Sequence, residues 1–456
     1  MNARMSRNRL ARVSSVALVA AGLILAACDV DEFLEVQDPD TVNPGTLEDP
    51  AVLDVVIAGA IGDFVAAYSG DGGDAFLSVS AVMTDEFFSS GTFPTRTATD
   101  RRDQFGAAEG NTSDAAYIDL HQARRALKDA AAKVVEFRDA SDPAFAELKA
   151  LEGFTYLALG EGWCSAIPIS GTDESGAFVF GQPQSVADIF SAAVTIFDES
   201  LGGGPTNAAA VGKARALMNL GQYSAAAAAV AGVPTDFVYF THHSDPGAAN
   251  PFFSLQGNGR YSVSDNEGTN GLAYRSANDP RVPWIRDPDQ PDGFDAAYPL
   301  YKSLRYTDFD SPVALASGVE ARLIDAEAAL DAGDVTGWLD GLNALRANVG
   351  ALMTGLVPSY AVENPSLDPL ADPGTDTGRR DIMFSERALW MWGTGHRLGD
   401  MRRLVTQYSM SQDAVFPTGA YHKGGGYGVD VAFPVDFDET NNTNYRLEDC
   451  DVTRAN

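Results

Sequence analysis

Apolar residues return at helical spacing in several separate stretches of this chain, with long irregular segments between them. In Pro143–Gly160, Phe145, Leu148, Leu151, Thr155 and Leu159 share one face of a 3.6-residue period. A second helix is predicted over Val186–Leu201, with Gln184 and Ser185 as its capping region. Val211–Leu220 and Ser224–Val230 read as two short helices joined through Gly221-Gln222-Tyr223, with Pro234 as a stop. A similar pair follows: Val319, Leu323, Ala326 and Leu330 form one stripe, Asp331–Asp334 turns, and Trp338, Leu342 and Leu345 form the next. Both pairs have the size and small-residue packing of tetratricopeptide repeats. A last long helix is predicted from about Arg380 to Leu404. The fold class is therefore mostly α: tetratricopeptide-like helix pairs with long irregular loop insertions.

The first residues follow a different pattern. Arg4, Arg7, Arg9 and Arg12 precede an apolar stretch from about Val16, closed by Leu25-Ala26-Ala27-Cys28. The stretch is too short to cross a hydrocarbon core of roughly 30 Å, so residues 1–27 read as a signal peptide. The small residues before the cysteine resemble a lipobox, which implies a mature chain starting at Cys28 with acyl chains such as palmitate attached. Residues 28–50 then form an acidic, proline-containing tether, and 51–456 a single helical domain. No second long apolar run is read, so lipid is the expected membrane attachment. With 63 acidic against 32 basic residues the net charge is −31, a surface that repels nucleic acid. Cys164 and Cys450 remain, in a compartment where disulfides persist. They form either one bridge or two buried thiols.

Several motifs, in order, resemble those of the SusD/RagB family of outer-membrane nutrient-binding lipoproteins. Phe33-Leu34-Glu35-Val36 with Pro39 looks like the family opening, and "ELKALEGFTYLALGEGWCSAIP" (Glu147–Pro168) is similar to its aromatic helix. Glu320–Arg346 resembles the paired helices carrying "E-A-E-A" and "L-N-x-x-R". Ile382, Glu386, Arg387, Gly395, Arg397, Asp400 and Arg403 fall on the late "I-x-x-E-R … G-x-R-x-x-D-x-R-R" pattern. Phe433-Pro434-Val435 and Asn441–Asn444 look like the closing segment. Thr394 stands where the family has glutamate, and Thr443 where its closing "N-P-N" has proline. The resemblance implies an α-α superhelical body and no enzymatic activity. It also implies binding of an oligosaccharide or peptide, and a partner in a SusC-like TonB-dependent outer-membrane barrel. The expected location is the cell outer membrane, lipid-anchored and facing the cell surface. Two rival readings come from other classes: an envelope scaffold of tetratricopeptide type, and a surface glycoside hydrolase.

The segment Thr235–Ser311 is rich in Gly, Pro, Asn and Asp and also in aromatics, among them Phe252, Tyr261, Tyr274, Trp284, Phe294, Tyr298 and Tyr301. An irregular stretch of this length is usually functional. Trp284, Tyr274, Tyr261 and Phe93 are the candidate ligand contacts, since loop aromatics stack on sugar rings or peptide side chains at little entropic cost. The alternative for each is a place in the core. Asp85 and Glu86 are not read as a glycosidase pair, and no catalytic residue, cofactor or metal site is assigned. Asp287–Gly293 departs from a calcium loop at several positions and leaves only adventitious calcium. Glu386, Arg387, Arg397, Asp400, Arg402 and Arg403 suggest a structural ion-pair network.

Overall fold

The computed structural model describes residues 49–106, 110–173, 177–204, 206–245 and 247–455. The signal peptide, the lipid site at Cys28 and the tether up to residue 48 lie outside them. The chain divides into Met1–Val52 and Leu53–Asn456. Of the first unit, Pro50–Val52 forms a single 3-10 turn; everything below concerns the second.

Helices α1 (Leu53–Tyr68), α2 (Phe76–Met83), α3 (Pro94–Asp100), α4 (Ser113–Phe137) and α5 (Pro143–Gly162) come first. They are followed by α6 (Val186–Gly203), α7 (Asn207–Asn219), α8 (Tyr223–Val230) and α9 (Pro251–Gly257). The series closes with α10 (Gly318–Asp331), α11 (Val335–Ala347), α12 (Val349–Leu356), α13 (Asp376–Trp390), α14 (Arg397–Thr406) and α15 (Gln412–Val415). The predicted helices start on recognisable caps. Asp142 accepts from Ala144 N ahead of α5, and Ser185 and Asp188 close a capping box on α6. Ser317 and Asp334 cap the repeated pair α10 and α11, and Gly333 turns between them at φ +78°.

The helices stack in sequence: α1 on α4, α4 on α5, α5 on α6, α6 on α7, α7 on α8, α8 on α10 and α10 on α11. Helix α5 lies at the centre, buried without interruption from Leu148 to Gly162. Its glycines set the spacing to α6. A Cβ on Gly153 or Gly160 would stand 2.6 Å from the ring of Phe197 or Phe190, so those rings seat directly on the α5 backbone. The fold is the mostly α, tetratricopeptide-like architecture read from the sequence.

Two expectations need correction. The last long helix is broken: α13 and α14 are separated by Met391–His396, where Gly393 and Gly395 adopt φ +68° and +80°. Trp390, Met391 and Trp392 continue the apolar pattern across the break, all of them buried, which hides it from a periodicity argument. The second concerns apolar runs. Pro50–Tyr68, with mean hydropathy 1.8, is long and apolar enough to cross a membrane. Within the domain, however, α1 packs on α4 and buries Leu53, Ala60, Phe64, Val65, Ala67 and Tyr68.

Among the described residues ten short strands form five antiparallel ribbons. They are β1 (Phe87–Ser89) with β7 (Tyr261–Val263), β2 (Ile167–Pro168) with β5 (Pro183–Gln184), and β3 (Gly171–Thr172) with β4 (Phe178–Val179). The remaining two are β6 (Val238–Thr241) with β10 (Val313–Ser317), and β8 (Trp284–Ile285) with β9 (Lys302–Ser303). Much of the 235–311 insertion folds around a second core, in which Phe252, Tyr261, Val263, Tyr274 and Tyr306 meet Leu77 and Val82 of α2, Phe87 and Trp392.

Candidate functional site

Three backbone segments cross where the insertion meets α3. Ser90 N donates to Arg260 O at 2.9 Å, and Phe294 N donates to Gly259 O at 2.9 Å. The crossing requires glycine. Gly259 sits at φ +66°, and a Cβ there would stand 2.7 Å from Phe294 N. A Cβ on Gly293 would stand 2.5 Å from Ser90 O. Each crossing segment then sends one side chain outward: Phe93, Arg260 and Phe294.

Phe93 and Phe294 are 47 % and 56 % exposed, unusual values for phenylalanine. The Arg260 guanidinium lies between them, 4.7 Å from the Phe93 centroid and 3.5 Å from that of Phe294. On one side Arg96 also approaches Phe93 and is fixed by Asp74 at 2.7 Å. On the other, His422 meets Phe88 and Tyr298 edge-on, both at 4.9 Å, and Lys423 donates to Gly91 O at 2.5 Å. The result is an open platform of aromatic faces and cations, built from residues near 88–96, 260, 294–298 and 422.

The four sequence candidates separate here. Phe93 is on the platform. Trp284 is partly exposed in β8, edge-on to Tyr301 at 5.4 Å with Arg275 above both rings. Tyr261 and Tyr274 are fully buried and are corrected to core residues. Tyr261 acts from beneath: its hydroxyl donates to Asp74 Oδ1 at 2.6 Å, the carboxylate that holds Arg96. Tyr274 packs near Trp392 and points its hydroxyl to Asp85. Arg260, His422 and Lys423 were not singled out from the sequence, and Tyr298 and Phe294 were named only among the aromatics of the insertion. A glycine directly before Arg260 and another before Phe294 were the available signal.

Carboxylates near the platform are committed elsewhere. Arg397 grips Asp85 with two hydrogen bonds of 2.7 and 2.9 Å. Glu86 accepts from Gly393 N, and burial pushes its pKa up to about 8. Among the described residues one group has metal-ligand character: Asp100, Glu267 and His422, with one donor atom from each within 4.8 Å of the others. Its carboxylates already have donors, Tyr421 and Ser89 N on Asp100, Tyr427 and Ser264 on Glu267. Burial, then the nearby Asp100, holds the Glu267 pKa well above the usual range. The acids of 287–292 do not converge: Asp287 pairs with Lys302 and Asp292 with Arg286.

The late-helix ions form a buried structural network. Arg387 binds Asp400 at 2.9 Å, Arg403 binds Asp400 and Glu327, and Arg281 and Arg346 share Glu386. Elsewhere, a cleft of about 700 Å³ lies between α4 and the β3–β4 hairpin. It is lined by Tyr117, His121 and Arg124, with Phe178 and Phe180 exposed on its rim. Burial holds His121 neutral, its pKa lowered to about 3.

Solved structures that align with this chain include SusD-like proteins. A SusD-like protein from Bacteroides fragilis NCTC 9343 aligns over 89% of this chain and 98% of its own, with TM-score 0.62 and 13% identity. A SusD/RagB family protein from Bacteroides thetaiotaomicron VPI-5482 aligns over 85% and 93%, with TM-score 0.56 and 14% identity. A SusD-like carbohydrate binding protein from Bacteroides vulgatus ATCC 8482 aligns over 77% and 83%, with TM-score 0.56 and 14% identity. No family model and no curated protein sequence matches the chain. The chain has the SusD-like fold.

Proposed function

We propose that this protein is the substrate-binding subunit of an outer-membrane uptake system. It is anchored by lipid on Cys28, faces the cell surface, and delivers oligomeric nutrients to a TonB-dependent, SusC-like barrel. The observation that carries the reading is the platform itself: two exposed phenylalanines and a guanidinium, fixed by glycine crossings, on a SusD-like fold. Such a surface suits stacking on an oligomer followed by release. The carboxylates of Asp74 and Asp85 are each bound by an arginine, which favours capture over bond breaking. One structural neighbour is described as a carbohydrate binding protein, which supports a glycan over a peptide.

The test is a mild-detergent pull-down of the tagged, lipidated chain from its native outer membrane, with co-purifying proteins identified by mass spectrometry. A stoichiometric TonB-dependent barrel is expected. Recovery of periplasmic assembly proteins without a barrel would instead point to an envelope scaffold.

A further inference from the structure

Arg260 differs from most arginines of this acidic chain. Arg96, Arg281, Arg346, Arg387, Arg397 and Arg403 each bind a carboxylate. Among the described residues no ion pair reaches Arg260, and its buried Nη1 has no hydrogen-bond partner. Its pKa is lowered by burial and then by the neighbouring Arg96 cation, with no carboxylate raising it. The position is built: the side chain crosses Gly91, where a Cβ would meet Arg260 Cδ at 3.1 Å, and its guanidinium packs against the rings of Phe93 and Phe294. Around it Arg96 is offset by Asp74 and Lys423 stands 3.8 Å from Asp295. Lys423 also feels the Asp100 carboxylate, so of these three cations Arg260 alone has no carboxylate acting on it.

We propose that Arg260 is the subsite for a carboxylate on the bound oligomer, so that the platform takes acidic oligosaccharides of the uronic-acid class. The inference rests on the nutrient-binding reading above and names its ligand class. The Arg260 guanidinium, within 4.7 Å of the Phe93 centroid and 3.5 Å of that of Phe294, keeps Nη1 enclosed and offers its remaining N–H groups to a carboxylate, while Phe93 and Phe294 take the apolar faces of adjoining sugar rings. A peptide would need free backbone partners. Here Ser90 N, Gly259 O, Arg260 O and Phe294 N are used in the crossing itself.

The test is calorimetric titration of the purified mature chain with oligogalacturonides and with the same oligomers methyl-esterified, which keep the rings and lose the charge. Wild-type protein should prefer the free acid by about tenfold or more. Arg260→Ala should reduce that preference towards unity and Arg260→Lys should retain part of it. Phe93→Ala and Phe294→Ala should weaken both oligomers while keeping the ratio. Circular dichroism and melting would confirm that each variant is folded. Equal affinity for acid and ester, a preference that survives Arg260→Ala, or binding of neither oligomer would overturn the subsite. Binding of poly-glutamate in place of the sugars would overturn the sugar assignment. The barrel pull-down stands apart from all of these outcomes, so a failed subsite and a failed uptake reading are told apart.

Discussion

Asp85 and Glu86 are neighbours in sequence, both buried, and the fold treats them oppositely. Arg397 neutralises Asp85, whereas Glu86 receives one backbone N–H on Oε1 and nothing on Oε2. Burial therefore raises the Glu86 pKa from 4.5 to about 8, with repulsion from Asp85 adding to it. A carboxyl raised in the folded state favours folding while it keeps its proton. That contribution is full below the unfolded value near 4.5 and is lost as pH climbs through about 8. Glu86→Gln does not titrate. The melting temperature of the variant relative to wild type should rise by several degrees between pH 5 and pH 8 and level off beyond. Over that window wild-type stability falls, relative to the variant, by at most about 1.4 kcal/mol for each step of one in pH. Parallel melting curves across that range would show that Glu86 is not protonated in the fold. Sequence could not separate these two acids, because their difference is made by Arg397 and Gly393, more than 300 positions away. The aromatic candidates divide for the same reason. Residue type predicts contact area, but in a ribbon as short as β7, with all three residues buried, no alternation tells Tyr261 which side it faces.

Elements marked by periodicity were legible, and the joints between them were not. Helices α5, α6, α10 and α11 carry caps and stripes that local rules detect. In the 25-residue α4, alanines at 116, 123, 130 and 131 take four of the ten buried positions and thin out the stripe of Tyr117, Leu120, Leu127 and Val134. The Met391–His396 break hides inside a run of buried aromatics. A further joint is covalent. The end of α5 meets the C-terminal irregular segment through Cys164 N to Phe433 O at 3.0 Å and Phe433 N to Gly162 O at 2.8 Å. The Cys164–Cys450 disulfide, with Cα atoms 5.3 Å apart across 286 positions, locks it there. Sequence left the bridge and two thiols as alternatives, and geometry decided for the bridge. Replacing both cysteines by alanine should lower stability by about 2–5 kcal/mol. It should also expose the segment after residue 416 to protease before the helical body. Urea midpoints and limited proteolysis would check this, and simultaneous digestion of both parts would argue that the bridge does not hold that segment in place.

At the scale of the whole molecule, opposite charges are sorted by depth. Inside, Arg387, Arg403, Asp400 and Glu327 pair with side chains no more than 5 % exposed. Such pairs are shielded from dissolved ions. Across the whole chain acidic residues outnumber basic ones by 63 to 32, so the exposed acids repel one another, and exposed ion pairs such as Arg446–Asp449 offset little of it. Salt therefore acts on one side of the balance only. Its ions screen the surface repulsion, which spans distances above a Debye length of about 10 Å at 0.1 M, and leave the buried network untouched. The melting temperature should rise as sodium chloride goes from about 10 to about 300 mM, a range in which the screening length falls from about 30 Å to below 8 Å. The same titration on Glu327→Gln should start lower, because Arg403 loses its buried partner, and rise with the same slope. A melting temperature that falls with salt would mean that exposed pairs, not excess charge, dominate the surface. A slope changed by Glu327→Gln would mean that the buried network is open to solvent ions.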